Sequence, residues 1–489
     1  MPAQATGQRA HALAGNAMGT KDLVFTVLAA LAPLTLIVAV APLHFLKGGA
    51  AVPGGYLVAG VVMALFAVGF MTMSRYVRNA GAFYATISRG LGKPVGSGAA
   101  MLAVAAYNAL QISTYGALGV YANTTFAHYF GLDVPWYVFA LAGLVFVAWL
   151  GYRGIHTSAR ILGVLLVLET AVLVVLAVYV LIKGGSGDWA ATSFSPATVL
   201  APDNAAMFAL VAGAFMGFEA TAIFSEEARG GIRTVRRATY IAVGFIAVFY
   251  AFITWIVVIA YGSDKIAAAA EADPVNLVVT VFTRYVPAPI VEVMNVLLLT
   301  SAFAALLALH NAANRYFFAL GREGLLPKAL GRTHPRTKAP WPAGLLQTGI
   351  AAVAVITFAV TGSDPYLGLL LWGSALGFLG IIALWALCSL AVIRFLRRQG
   401  ADAGIFRTTI APGLSFVALT VVLVLVLANL PLLTGAGTFT NVVIIAIAVV
   451  AVTAGVARAL HLRSHAPHLY AELAQTSVDE PTALAGEHA

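Results

Sequence analysis

Two carboxylates stand where a carboxylate is costly. Glu169 lies in the middle of the apolar run Ile161-Leu162-Gly163-Val164-Leu165-Leu166-Val167-Leu168-Glu169. Glu219 ends Phe215-Met216-Gly217-Phe218-Glu219, inside the apolar stretch 204–228. An ionised carboxylate alone in hydrocarbon costs several kcal/mol, so each is protonated, paired, or facing water. The chemistry open to such a group is proton binding, ion coordination or recognition of an ammonium. A third polar set follows helical spacing: Tyr107, Gln111 and Tyr115 lie at i, i+4 and i+8, with Asn108 beside them. That places them along one helix face. In lipid such a stripe either lines a cavity or joins helices to one another.

The elements that must position these groups are membrane helices. The chain is 61% hydrophobic and 10% charged over 489 residues, which excludes a soluble globular domain. A spanning helix needs about 20 mainly apolar residues. Runs of that kind lie near 22–46, 54–75, 95–126, 135–152, 154–182, 204–228, 238–262, 288–318, 341–361, 366–394, 411–431 and 438–460, twelve in all. Placing the N-terminus in the cytoplasm leaves only Lys47, Lys183, Lys265 and Arg284 outside, so 24 of the 28 Lys and Arg residues are inside. This asymmetry is the one that orients membrane proteins, with both termini cytoplasmic. It also accounts for the net charge of +9. The basic residues occupy short loops rather than one amphipathic face, which excludes a nucleic-acid surface.

Other features bound the function. Cys388 is the single cysteine, so there is no intramolecular disulfide and no metal-ligand spacing. Residues 1–20 lack a basic start leading into a short apolar core, and the first span is read as retained. Residues 76–94 are amphipathic and are expected at the cytoplasmic interface. The segments 183–203 and 263–287 are the long external connections, 319–340 is the longest basic inner loop, and the tail from 464 is expected to be disordered. No phosphate-cradling glycine loop, His-Glu-x-x-His helix or nucleophile elbow is present, and the ten histidines lack ligand spacing. The chain is therefore read as not an enzyme, without metal or cofactor.

Two spans carry interruptions. Leu31-Ala32-Pro33-Leu34-Thr35 sits in the middle of the first, where Pro33 lacks an N–H and clashes with the preceding turn. The sixth opens at Gly217. For each alone the alternative is a kinked or close-packed continuous helix. Open backbone survives in a bilayer only where it lines a protein cavity, and breaks at corresponding places of two halves point to a transporter with its site at mid-membrane. Ala32, Pro33, Leu34 and Thr35 would then form one wall, Leu34 and Thr35 offering N–H groups at the positive end of a half-helix.

Three stretches together resemble the amino acid–polyamine–organocation (APC) superfamily of secondary transporters. They are Asn79-Ala80-Gly81-Ala82-Phe83-Tyr84, Phe215-Met216-Gly217-Phe218-Glu219 with Glu226-Glu227, and Gly321-Arg322-Glu323-Gly324-Leu325-Leu326-Pro327 with His334-Pro335 and Pro340. The resemblance spans most of residues 20–400. It implies an all-α integral membrane fold with a five-plus-five inverted repeat, broken helices one and six, and two extra helices. The corresponding division is a tail 1–20, a first repeat 21–182, an external loop 183–203, a second repeat 204–395, two helices in 396–463 and a tail 464–489.

The resemblance also implies roles. The substrate is an amino acid or organic amine, moved across the cytoplasmic membrane by alternating access. Phe215 and Phe218 flank the second break, where relatives place aromatics that occlude substrate. Glu219 matches an acidic family position and either reads an ammonium or stabilises the opened backbone. Glu169 falls where sodium-independent relatives often hold a lysine in place of a sodium ion, and family geometry puts Ser301 near it. Glu169 is thus a candidate proton carrier; a permanently protonated, hydrogen-bonded side chain and a direct sodium ligand are the alternatives. The family's Gly-Ser-Gly segment in span one is replaced here by Ala32-Pro33-Leu34-Thr35, which leaves room for amine substrates. The expected substrate-binding set is Ala32, Pro33, Leu34, Thr35, Tyr107, Asn108, Gln111, Phe215, Gly217, Phe218 and Glu219, with Glu169 and Ser301 coupling a proton ahead of sodium. His310, Asn311 and Asn314 are read as helix–helix bonding, and Trp372-Gly373-Ser374 as a weak gate candidate. The expected function is proton-coupled symport by a monomer or homodimer in the bilayer. Substrate–product exchange is the alternative, and a solute-binding channel or sensor the reading from another class.

Overall fold

The computed structural model describes residues 13–77, 81–400 and 403–474. Asn79 and Ala80 of the first motif, and the tail 475–489, lie outside the described residues. The first half contains α1 (Thr20–Ala30), α2 (Ala41–Gly48), α3 (Val52–Met73), α4 (Phe83–Leu91), α5 (Lys93–Phe130), α6 (Trp136–Arg153) and α7 (Ile155–Ile182). There follow α8 (Ala205–Gly213), α9 (Ala220–Ile223), α10 (Ile232–Tyr261), α11 (Ile266–Ala272), α12 (Leu277–Tyr285) and α13 (Ala288–Arg322). The chain closes with α14 (Trp341–Thr361), α15 (Gly373–Arg398), α16 (Ala411–Ala428), α17 (Thr438–His465) and α18 (Pro467–Glu472). The protein is an all-helical, multi-pass membrane protein.

Among the described residues ten helical runs are long and apolar enough to cross a bilayer, or eleven if the α11–α12 pair, bent by 113°, counts as one span. The sequence leads one to expect twelve, and the two counts part at two places. The run Thr20–Met73 covers 54 residues, about 80 Å of helix at 1.5 Å per residue and too long for one crossing. Its two ends line one cavity, where Gly15 and Asn16 meet Phe70, Ser74 and Val77, so the run turns back on itself; Gly49, at φ +47°, lies at the turn. The stretch 204–228 contains no helix of spanning length because it is interrupted between Gly213 and Ala220.

Side-chain size and polarity sort the helices into layers. Long α5 is the central post and packs against α6, α13, α15 and α17. Broken α1 packs on α7, α10 and α13, while α8 packs on α2, α3 and α16. Both breaks therefore sit inside the bundle, where protein rather than lipid surrounds the open backbone. By contrast α6, α14 and α17 bury only about a fifth of their apolar spans inside the protein, as lipid-facing helices do.

Helix α4 buries Phe83, Tyr84, Ala85, Thr86, Ile87 and Ser88 and packs on α5 and α15, so the apolar side of its amphipathic pattern meets protein. One loop expectation changes. The tail does not begin at 464: α17 runs to His465, and α18 docks back on the bundle. Lys93 Nζ donates to the carbonyls of Tyr470 (2.8 Å) and Ala471 (2.7 Å), and Arg89 Nε to that of Ala474 (3.1 Å). The Ala474 N–H donates to Glu323 Oε2 at 2.7 Å, which also accepts from Tyr84 Oη at 2.6 Å. These bonds join basic side chains to backbone carbonyls far along the chain, which hydrophobic periodicity cannot reveal.

Candidate functional site

At the first break α1 ends at Ala30, and Ala32 takes up left-handed backbone at φ +44°, ψ +69°. Pro33 then starts a short helical turn that runs into a π-helical turn, Leu36–Val40. A left-handed residue with a Cβ is strained by about 1–2 kcal/mol, so the surrounding packing holds it there. The freed backbone finds partners across the bundle. The Leu34 N–H donates to Glu169 Oε2 at 3.2 Å, and the Thr35 N–H to Ser301 Oγ at 3.4 Å. Ser301 Oγ in turn donates to Glu169 Oε2 at 2.8 Å. One buried cluster thus joins the break to the middles of α7 and α13. Glu169 Oε1 and Thr35 Oγ1 have no hydrogen-bond partner among the described residues.

At the second break Gly217 has φ +117°, a conformation that only glycine adopts without strain. Glu219 folds back to accept from the Gly217 N–H at 2.9 Å, and its other oxygen accepts from Tyr107 Oη at 2.8 Å. The Tyr107 ring rests on Tyr316, centroids 5.3 Å apart. Phe218 packs against Phe66 and Trp385 at 5.9 and 5.6 Å, and Phe215 is fully buried. These groups hold the break in shape from behind.

The polar stripe on α5 divides. Tyr107 reaches the second break, whereas Gln111 belongs to a helix-joining network. Its Nε2 lies 3.4 Å from Tyr115 Oη and 3.3 Å from His310 Nδ1, and its carbonyl oxygen accepts from the Gln347 amide. Asn108 Nδ2 donates to the Val104 carbonyl of its own helix at 2.8 Å.

A cavity of about 150 Å³ lies between the breaks, on their side away from the chain termini. Ala32, Thr35 and Leu36 form one wall, and Leu110, Ser113, Thr114 and Ala117 another. Met216, Ala302, Ala305, Leu309, Ser374 and Phe378 help to close it. Of the expected binding residues, Ala32 and Thr35 line this cavity, whereas Pro33, Leu34, Tyr107, Asn108, Gln111, Phe215, Gly217, Phe218 and Glu219 do not, and neither do Glu169 and Ser301. Ser113, Thr114, Met216, Ala302 and Ala305 are cavity residues that the sequence reading missed, and Ser374 enters from the weak gate candidate. A signal existed on α5, because Leu110, Ser113, Thr114 and Ala117 keep i, i+3, i+4, i+7 spacing one step around the helix from the stripe. The lining is apolar with four hydroxyls and no carboxylate, suited to a small solute with an aliphatic portion.

On the other side of the breaks the bundle is clamped. Arg315 pairs with Glu227 through two bonds of 2.5 and 2.8 Å, both side chains buried, and its guanidinium covers the Phe224 ring at 4.7 Å. Arg322 pairs with Glu226 through bonds of 2.9 and 2.6 Å. The Met18 N–H donates to the Glu227 carbonyl at 2.9 Å, and the Arg229 N–H to Met18 O at 2.7 Å. The end of the broken span is therefore tied both to α13 and to the segment before α1. No cluster of potential metal ligands occurs among the described residues.

The sequence profile of the amino acid permease family matches residues 10–454. A branched-chain amino acid permease of Lactococcus lactis subsp. cremoris is 26% identical over 371 residues, covering 72% of this chain and 76% of that protein. A methylthioribose transporter of Bacillus subtilis is 24% identical, over 53% of this chain and 52% of its own length. An uncharacterized transporter of Mycobacterium tuberculosis is 31% identical over 46% of this chain and 49% of its own length. With a match over nearly the whole sequence and a helical membrane bundle opened at two breaks, the chain belongs to the amino acid permease family.

Proposed function

We propose that the chain carries a small amino acid with an aliphatic side chain across the cytoplasmic membrane, by alternating access coupled to a proton on Glu169. The observation that carries this reading is the buried Glu169–Ser301–Leu34 cluster, which ties a titratable carboxylate directly to the open backbone of the first break. Ionised, Glu169 accepts two hydrogen bonds and holds that backbone with the added strength of a charged acceptor. Protonated, it loses that strength and gains a donor, so the break is held differently. A proton gradient then biases the conformational equilibrium through the differing proton affinity of the two states.

The substrate class follows from the cavity. Its lining carries no acidic side chain, and Glu219 is committed to Gly217 and Tyr107. An organic cation therefore has less to recognise it here than a zwitterion whose side chain fills the apolar part. The named branched-chain permease among the relatives supports the same direction. The accompanying topology is twelve crossings, two inverted repeats of five helices followed by two extra helices, with both termini cytoplasmic. In that orientation the Arg315–Glu227 and Arg322–Glu226 pairs close the cytoplasmic side, and the cavity belongs to an outward-facing or occluded state.

The test is uptake of radiolabelled leucine, valine, alanine and putrescine into proteoliposomes, with and without an inward proton gradient and without sodium. Concentrative, gradient-stimulated uptake of an aliphatic amino acid is expected. Uptake indifferent to the gradient contradicts proton coupling, and uptake only into preloaded vesicles assigns exchange instead.

A further inference from the structure

Two cavities lie along one seam of the bundle. Helices α5 and α13 pack on each other, and the central cavity takes Leu110, Thr114 and Ala117 from α5 and Ala302, Ala305 and Leu309 from α13. A second cavity, of about 210 Å³, opens between the same two helices nearer their ends away from the chain termini. Tyr121, Thr124, Thr125, His128 and Tyr129 of α5 line it. Asn295 and Leu298 of α13 complete it.

Helical spacing puts the two cavities on a common path. Leu110, Thr114, Ala117, Tyr121, Thr124 and His128 follow one another alternately four and three residues apart, so they share one face of α5. Asn295, Leu298, Ala302, Ala305 and Leu309 do the same on α13. One helical turn, about 6 Å, parts the cavities on each helix, from Ala117 to Tyr121 and from Leu298 to Ala302. A solute that reaches the central cavity along this seam passes the outer one first.

The cavities differ in charge. The central one is lined by no carboxylate. At the rim of the outer one, half-exposed Glu292 accepts a hydrogen bond from Tyr129 Oη and lies 3.8 Å from His128 Nε2. Thr124 and Thr125 give their hydroxyl protons to the Tyr121 carbonyl of their own helix at 3.0 and 2.7 Å, which leaves their oxygens as acceptors. A carboxylate, hydroxyl acceptors and the aromatic surface of Tyr121 and Tyr129 together suit an ammonium group, through charge-assisted hydrogen bonds and cation–π attraction. An anion would meet repulsion from Glu292.

We propose that the outer cavity is a separate docking site for the ammonium group of the transported amino acid, with Glu292 as its charge partner, from which the solute moves along the seam to the central cavity. The inference rests on the reading of the chain as an amino acid carrier. It divides recognition between two places: the ammonium is read at the outer cavity and the aliphatic side chain at the central one. An amine without an aliphatic portion docks outside and gains little further in.

The experiment splits leucine into its two charged halves. Isoamylamine is leucine without the carboxylate, and isocaproate is leucine without the ammonium. Binding of each to full-length protein in detergent is measured by titration calorimetry for wild type, Glu292→Gln and Thr114→Val, with thermal unfolding as the check on the fold. Wild type is expected to bind isoamylamine more tightly than isocaproate. Glu292→Gln is expected to weaken isoamylamine about tenfold, the size of a hydrogen bond to a charged group, and Thr114→Val in the central cavity to leave it unchanged. In proteoliposomes Glu292→Gln is expected to raise the leucine KM from the outer side with kcat little altered, whereas a merely structural role would lower the amount of active protein and so the maximal rate. Isoamylamine binding that is absent from wild type, equal in wild type and Glu292→Gln, or weakened only by Thr114→Val overturns the outer site. If leucine is not transported but isoamylamine binding still depends on Glu292, the site stands and the amino acid reading fails.

Discussion

The Leu34 N–H and Glu169 Oε2 meet at 3.2 Å across 135 residues of chain. The N–H that a broken half-helix offers to a substrate anion is here taken by a side chain of the protein. The Thr35 N–H is taken in the same way by Ser301. Substrate binding must therefore work with the cavity hydroxyls and the remaining open backbone, or displace the carboxylate. The proposed coupling uses this contact, since a proton on Glu169 changes the partner that the Leu34 N–H meets.

The buried Arg315–Glu227 pair should behave as a clamp. Removing one partner of a buried pair costs about 3–5 kcal/mol, because the other charge is left unpaired, whereas replacing both by apolar groups can be neutral. Glu227→Gln is expected to lower the thermal midpoint in detergent strongly, and Glu227→Gln with Arg315→Met to recover much of the loss. Equal midpoints for the single variant and wild type would show that the pair holds nothing.

Ala32 is the strained point of the first break. Glycine removes the left-handed strain of about 1–2 kcal/mol and restores part of that in chain entropy, about 0.5–1 kcal/mol. Ala32→Gly is thus expected to fold at least as stably as wild type and to transport. Ala32→Val, β-branched at positive φ, is expected to lose uptake. Thermal midpoints and leucine uptake of the two variants decide this.

Ala305 on the cavity wall should set the upper size of the substrate. Extra methylenes there compete with the substrate's own side chain, and one methylene in an apolar pocket is worth about 1–3 kcal/mol. Ala305→Leu is expected to raise the leucine KM about tenfold or more while changing that for alanine far less. A uniform loss for both substrates would place the solute elsewhere.

Sequence and structure agree unevenly, for physical reasons. Long apolar runs announce membrane helices because hydrocarbon demands them, and Pro33 and Gly217 announce breaks because one lacks a donor and the other permits positive φ. Which face of a helix meets a cavity is a different matter. It depends on the rotation of α5 against its neighbours, and a turn of one residue moves the lining from Tyr107 and Gln111 to Leu110 and Thr114. The Tyr107–Glu219 bond and the docking of Ala474 on Glu323 pair residues far apart in the chain, with no periodicity to betray them. The reversal between the runs 22–46 and 54–75, by contrast, is legible, and Asn16 and Ser74 line one cavity as it requires.

Glu169→Gln gives the most direct test of the account. The glutamine oxygen can still accept from Leu34 and Ser301, so the break keeps its partners, but the side chain no longer binds and releases a proton. Leucine uptake into proteoliposomes is measured with and without an inward proton gradient, beside counterflow exchange. Exchange that persists with gradient stimulation abolished is the predicted result. Stimulation of the variant equal to wild type would contradict the assignment of coupling to Glu169.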